Sequence, residues 1–76
     1  VSFENIKEVH IKDDYITLGQ LLKKESILGS GGEVKIFLAE VPVYVNEQPA
    51  NQRGKKLFIN DIVEIEGEGS FIIKKA

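Results

Sequence analysis

Three of the chain's ten basic residues fall in one short run, Arg53-Gly54-Lys55-Lys56, and no acid occurs between Glu47 and Asp61. Elsewhere acids and bases are mixed, and the formal net charge is -2. A single cationic loop on an acidic chain reads as a local anion-binding patch. Gly54 would let the backbone turn there or approach a ligand closely. The competing reading is a solvated loop, since short charge runs are usually just that.

The second candidate is Ser30-Gly31-Gly32-Glu33-Val34-Lys35. A P-loop needs a glycine, four residues, then Gly-Lys-Ser/Thr. Here Lys35 follows Gly32 by three and no hydroxyl follows it. A dinucleotide fingerprint needs a preceding strand, and a helix is expected instead. What survives is a helix N-terminus, whose unpaired amides and partial positive charge can hold a phosphate. Gly31 and Gly32 leave no side chains in the way, and Lys35 lies one turn in. The alternative is that both glycines serve only a sharp turn.

Other residues offer less. Glu64, Glu66 and Glu68 alternate along a strand edge, but acid–base work needs a pocket that separates their pKa values. A solvated sheet face that discourages edge-to-edge pairing is the simpler reading. Asp13 and Asp14 suit a strand that ends in a turn. His10 is the sole histidine and cysteine is absent. No metal, no cofactor and no histidine-dependent catalysis are therefore expected. No nucleophile–base pair is evident, so the chain is not expected to be an enzyme. Tyr15, Phe37, Phe58 and Phe71 are assigned to the core or its rim. Tyr44 alternates outward from Val43 and Val45, where sheet packing or stacking on a base are both open to it.

Local patterns supply the elements that would position these groups. Ile6 to Ile11 alternates as a short strand, broken at Asp13-Asp14. Thr17-Leu18-Gly19-Gln20 is a capping box, and Leu18, Leu21 and Leu22 then mark one face of a helix to about Glu25. Lys23 and Lys24 suit its last turn. Ser30 and Glu33 form a second capping box for a helix carrying Val34, Phe37 and Leu38 on one face. It runs to about Glu40 and stops before Pro42. A link of roughly five residues makes the two helices a hairpin. Strands follow at Val43–Asn46, Ile62–Glu66 and Ser70–Lys75, with an extended piece at Leu57–Ile59. Turns are expected at Asn46–Pro49, Asn60-Asp61 and Gly67–Gly69. The architecture is α+β: an N-terminal strand, a two-helix hairpin, then a small, mostly antiparallel sheet.

Length fits one domain over residues 1–76. The first apolar run is broken by charges, so no secretory leader is expected, and no segment approaches a membrane span. With cysteine absent, the expected home is the cytoplasm.

The order of these features resembles the alpha-L RNA-binding motif, the domain named after small-subunit ribosomal protein four. The carrying residues are the capped helix from Thr17, then Ser30-Gly31-Gly32-Glu33-Val34-Lys35, then Val43-Tyr44-Val45-Asn46-Glu47, Arg53-Gly54-Lys55-Lys56-Leu57 and Asn60-Asp61-Ile62-Val63. The likeness spans about Lys12 to Glu66 and is greatest to the small stand-alone bacterial YaaA-like proteins. It implies non-catalytic binding of structured RNA, ribosomal or transfer-like, through the second helix's start and nearby basic residues. Residue by residue, that implies Ser30, Gly31, Gly32, Lys35, Arg53, Lys55 and Lys56. Gly31 stands where many members carry arginine, Glu47 where a glycine often follows the asparagine, and Asn60 where the turn glycine is common. Such a patch would track phosphates and read RNA by shape.

Two rivals stand beside this reading. One is a protein-interaction module of the same fold, which the acidic pI of about 5.3 favours. The other is a ubiquitin-like sulfur carrier. Its chemistry needs a C-terminal Gly-Gly, and the sequence here ends Ile73-Lys74-Lys75-Ala76.

Overall fold

A computed structural model describes residues 6–29 and 31–76. In chain order the elements are β1 (Ile6–Ile11), β2 (Tyr15–Thr17), α1 (Leu18–Lys24), α2 (Gly31–Glu40), β3 (Val43–Val45), β4 (Gln48–Pro49), β5 (Lys56–Phe58), β6 (Ile62–Ile65) and β7 (Gly69–Lys75). Five strands form one sheet in the order β1-β7-β6-β3-β4. Strands β2 and β5 pair separately as a small antiparallel ribbon. The α+β architecture is the expected one. All neighbours in the large sheet are antiparallel except β1 and β7, which run parallel with Val9 opposite Ile73.

Alternation explains the sheet's buried face. Val9 and Ile11, Val43 and Val45, Val63 and Ile65, and Phe71 and Ile73 all turn inward at every second position. Leu18, Leu21 and Leu22 of α1 and Val34 and Leu38 of α2 complete the same core, with Ile16 and Leu57 of the ribbon. Leu18, Leu21, Leu22, Leu57 and Ile73 are fully enclosed. Each such side chain contributes about 1.5–3 kcal/mol by leaving water.

The Thr17 capping box forms as expected. Gln20 N donates to Thr17 Oγ1 at 3.3 Å and Thr17 N donates to Gln20 Oε1 at 3.0 Å. The helix ends one residue before Glu25, in a Schellman arrangement. Ser26 N donates to the Lys23 carbonyl and Ile27 N to the Leu22 carbonyl, both at 3.0 Å. Ser26 adopts φ 59°, the left-handed conformation usually given to glycine. Helix α2 spans the residues expected of it, with Val34 and Leu38 buried and Phe37 half-buried. The expected cap at Ser30 lies outside the described residues.

Two turns are fastened to each other. Asn46 and Glu47 have φ of 51° and 70°, the paired left-handed residues of a type I′ hairpin joining β3 to β4. Asn46 Oδ1 accepts from Ile62 N and its Nδ2 donates to Asp61 Oδ1, both at 3.0 Å. Asp61 Oδ2 accepts from Phe58 N at 2.8 Å. Asn46 thus joins the β3–β4 turn to the Asn60-Asp61 turn and to the end of β5.

Three expectations need correction, the first being that Gln48-Pro49, read as the end of a turn, pairs with β3 as β4. The sequence reading assigned no strand at Tyr15-Ile16, yet β2 forms there by pairing with β5. Tyr15 and Phe58 lie outside the core, 41% and 50% exposed, on the outer face of that ribbon.

Candidate nucleic-acid interface

The first turn of a helix leaves amides without partners. In α1 two of them are met by the basic loop. Leu18 N donates to the Lys55 carbonyl at 2.8 Å and Gly19 N to the Arg53 carbonyl at 2.9 Å. Gln20 N goes to the Thr17 hydroxyl, so these three amides are engaged within the protein. Lys55 N closes the loop on the Gln52 carbonyl at 3.1 Å. The run Arg53–Lys55 is therefore pinned by its backbone while its side chains stay exposed.

Gly19 makes this docking sterically feasible. A Cβ there would lie 3.3 Å from both Arg53 Cβ and the Arg53 carbonyl oxygen, and 3.6 Å from Val34 Cγ1. The loop, the start of α1 and the first turns of α2 thus meet at one glycine. A cleft of about 300 Å³ opens beside this junction, lined by Thr17, Gln20, Lys23, Val34, Arg53 and Gly54 among others. It brings Arg53 together with Lys23, which the sequence reading treated only as a helix-dipole cation.

The other expected residues are spread around the junction. Lys35 follows Val34 in α2 and is exposed, but it does not line that cleft. Gly31 and Gly32 open α2, and no atom lies within 4 Å of where a Gly32 Cβ would stand. Lys55 faces a different hollow, shared with Val45, Gln48 and Gln52. Lys56 Nζ sits 4.9 Å from the centre of the Tyr15 ring. The three basic side chains of the loop therefore fan out over neighbouring surfaces. Ser30 lies outside the described residues.

Other cations are already occupied. Lys7 Nζ meets Glu25 Oε1 at 2.7 Å, and Lys75 lies 3.7 Å from Asp14 Oδ1. Among the described residues, Lys23, Lys24, Lys35, Arg53 and Lys55 have no ion pair. Of these, Lys23 and Arg53 line the cleft at the junction, and two cations so placed favour an anionic ligand there despite the chain's net charge. Gly54 meets nothing within 4 Å of an added Cβ, so the space beside its backbone is open to a ligand.

Among the described residues, no group of three or more histidines, cysteines or carboxylates is placed to hold a metal ion. No helix there is long and apolar enough to cross a membrane.

The family model described as the S4 domain matches residues 9–74. The chain belongs to the S4-domain family. The matched span exceeds the Lys12–Glu66 read from sequence motifs and takes in β7 up to Lys74 and the last three residues of β1. A similar S4-domain relative, from Bacillus subtilis (strain 168), is a probable ribosome maturation protein, RlbA. The two are 52% identical over 63 residues, covering 83% of this chain and 89% of the relative. Gly19 and Lys23 are the residues of this junction that sequence reasoning missed. A glycine at the second position of a well-capped helix was the available signal, since glycine there weakens a helix without a packing reason.

Proposed function

We propose that residues 1–76 act as one non-catalytic domain that binds structured RNA of the ribosome in the cytoplasm. The observation that carries this reading is the loop Arg53–Lys55, whose carbonyls are tied to the first turn of α1. Backbone fixation holds the cations in place before a ligand arrives, which lowers the ordering cost of binding. Arg53 with Lys23, then Lys55, Lys56 and Lys35, would meet successive phosphates. Gly31 and Gly32 at the start of α2, with Ser30 before them in sequence, would add backbone amides for another. Phosphate contacts of this kind set position and affinity, and a fixed array reads a folded RNA by its shape. The Bacillus relative is a probable ribosome maturation protein, which points to ribosomal RNA as the first ligand to try.

The test is retention of ribosomal RNA hairpins by the purified protein across a salt series, alone and with Arg53→Ala, Lys55→Ala and Lys56→Ala. About four phosphate contacts predict a slope of log K against log salt of roughly -2 to -4, and each substitution should flatten it. Absence of binding at low salt, or binding indifferent to all three substitutions, would defeat the reading. A protein-interaction role would then be the one to pursue.

A further inference from the structure

We propose that Tyr15 and Phe58 form a stacking platform for one unpaired RNA base, with Lys56, Lys12 and Lys24 taking the flanking phosphates. The proposal rests on the RNA-binding reading above and adds to it a preference for RNA with an unpaired nucleotide.

The argument begins with the β2–β5 ribbon. Tyr15 pairs with Phe58, Ile16 with Leu57 and Thr17 with Lys56. Ile16 and Leu57 turn into the core, so alternation places Tyr15, Lys56 and Phe58 together on the outer face. The rings lie 5.9 Å apart between centroids and are tilted by 52°. A cross-strand aromatic pair supports a ribbon, but that role uses only the contact between the rings. The remaining 41% of Tyr15 and 50% of Phe58 faces solvent. Exposed large apolar groups grouped in this way mark binding surfaces more often than isolated ones do.

Charge selects the occupant. Lys56 holds its ammonium over the Tyr15 ring, a cation–π contact. Beside Tyr15 a cleft of about 440 Å³ is lined by Lys12, Lys24, Gln20 and His10, with Asp13 as its one acidic side chain and Ile11, Ile16 and Ala76 completing the wall. Three lysines around an aromatic pair fit a base with a phosphate on either side. A purely apolar partner would leave those ammonium groups to be desolvated without compensation. The platform is also continuous with the basic loop, because Lys55 immediately precedes β5, which carries Lys56 and Phe58. RNA gripped at Arg53 and Lys55 would therefore reach the rings within a few residues. Bases accessible to side-chain stacking are those splayed from loops and bulges, not those within an A-form helix.

The experiment uses two short RNA hairpins, one fully paired and one with a single unpaired position occupied by 2-aminopurine. The probe's fluorescence should be quenched when the unaltered protein binds. The double variant Tyr15→Leu/Phe58→Leu keeps apolar cover on exposed positions. It should bind the bulged hairpin about five- to a hundredfold more weakly, the range for loss of base–aromatic stacking. Its affinity for the fully paired hairpin and its salt slope should be unchanged. Unquenched probe in a formed complex, or a double variant that binds both hairpins like its parent, would overturn the platform while leaving the phosphate patch intact. If ring substitution instead weakens association with intact ribosomal particles and spares both hairpins, a protein occupies the rings and the proposal is wrong. If neither hairpin binds the unaltered protein at low salt, the RNA-binding reading falls and the platform with it.

Discussion

Gly19→Val should dislodge the basic loop. The backbone of Gly19 donates to the Arg53 carbonyl at 2.9 Å, and a Cβ there would stand 3.3 Å from that same oxygen and from Arg53 Cβ. Alanine asks the loop to yield by a few tenths of an ångström and recovers about 1 kcal/mol of helix propensity, so Gly19→Ala should be close to neutral. Valine adds two methyl groups that cannot all avoid Arg53 and Val34. Either the core takes strain of about 1–3 kcal/mol, or the loop retreats and its two hydrogen bonds to α1 go, at about 0.5–1.5 kcal/mol each. The expected cost is about 1–3 kcal/mol by either route. A domain of this size is stable by roughly 4–11 kcal/mol, and each kcal/mol moves its Tm by about 4–8 °C. Urea unfolding should show the loss, and amide exchange should show Leu18 and Gly19 opening first. RNA retention should fall further for Gly19→Val than for Gly19→Ala, because Arg53 loses its fixed position. A Gly19→Val protein with unchanged urea midpoint and unchanged exchange at both amides would refute the docking argument.

Two sets of substitutions test the turns. Ser26 and Glu47 occupy left-handed backbone that costs a residue with a side chain about 1–2 kcal/mol. Part of that gain is returned as glycine's entropy, so Ser26→Gly and Glu47→Gly should each raise stability by about 0.5–1 kcal/mol in urea unfolding. Asn46→Ala removes the acceptor for Ile62 N and the donor to Asp61, which holds Phe58 N. Loss of about 1–3 kcal/mol is expected, with exchange protection falling together at Ile62 and Phe58.

What could be read from the residues was local. The Thr17–Gln20 capping box and the Leu18, Leu21, Leu22 face needed only a few neighbours along the chain, and both appear as read. The alternation of Val63 with Ile65 and of Val43 with Val45 was equally self-contained. Strand β2 escaped because three residues carry too little pattern; its partner β5 lies some forty positions away in the chain. The Schellman ending at Ser26 escaped because the usual glycine is absent there. Gly19 was read only as a member of the capping box, since its purpose is a loop distant in sequence. The same distance hid the pairing of Lys23 with Arg53 around one cleft, and the meeting of Tyr15 with Phe58. The basic run itself was plain from composition, but its anchoring to α1 depends on backbone bonds that residue types do not announce.

The most direct test of the central claim is to follow the backbone amides of labelled protein by NMR while adding a structured ribosomal RNA hairpin. The account predicts shifts concentrated at Gly31, Gly32, Lys35, Lys23 and Arg53–Lys56, with little change at Glu64–Gly67. Shifts confined to the β6–β7 turn and the outer sheet face, with Arg53–Lys56 unmoved, would contradict it.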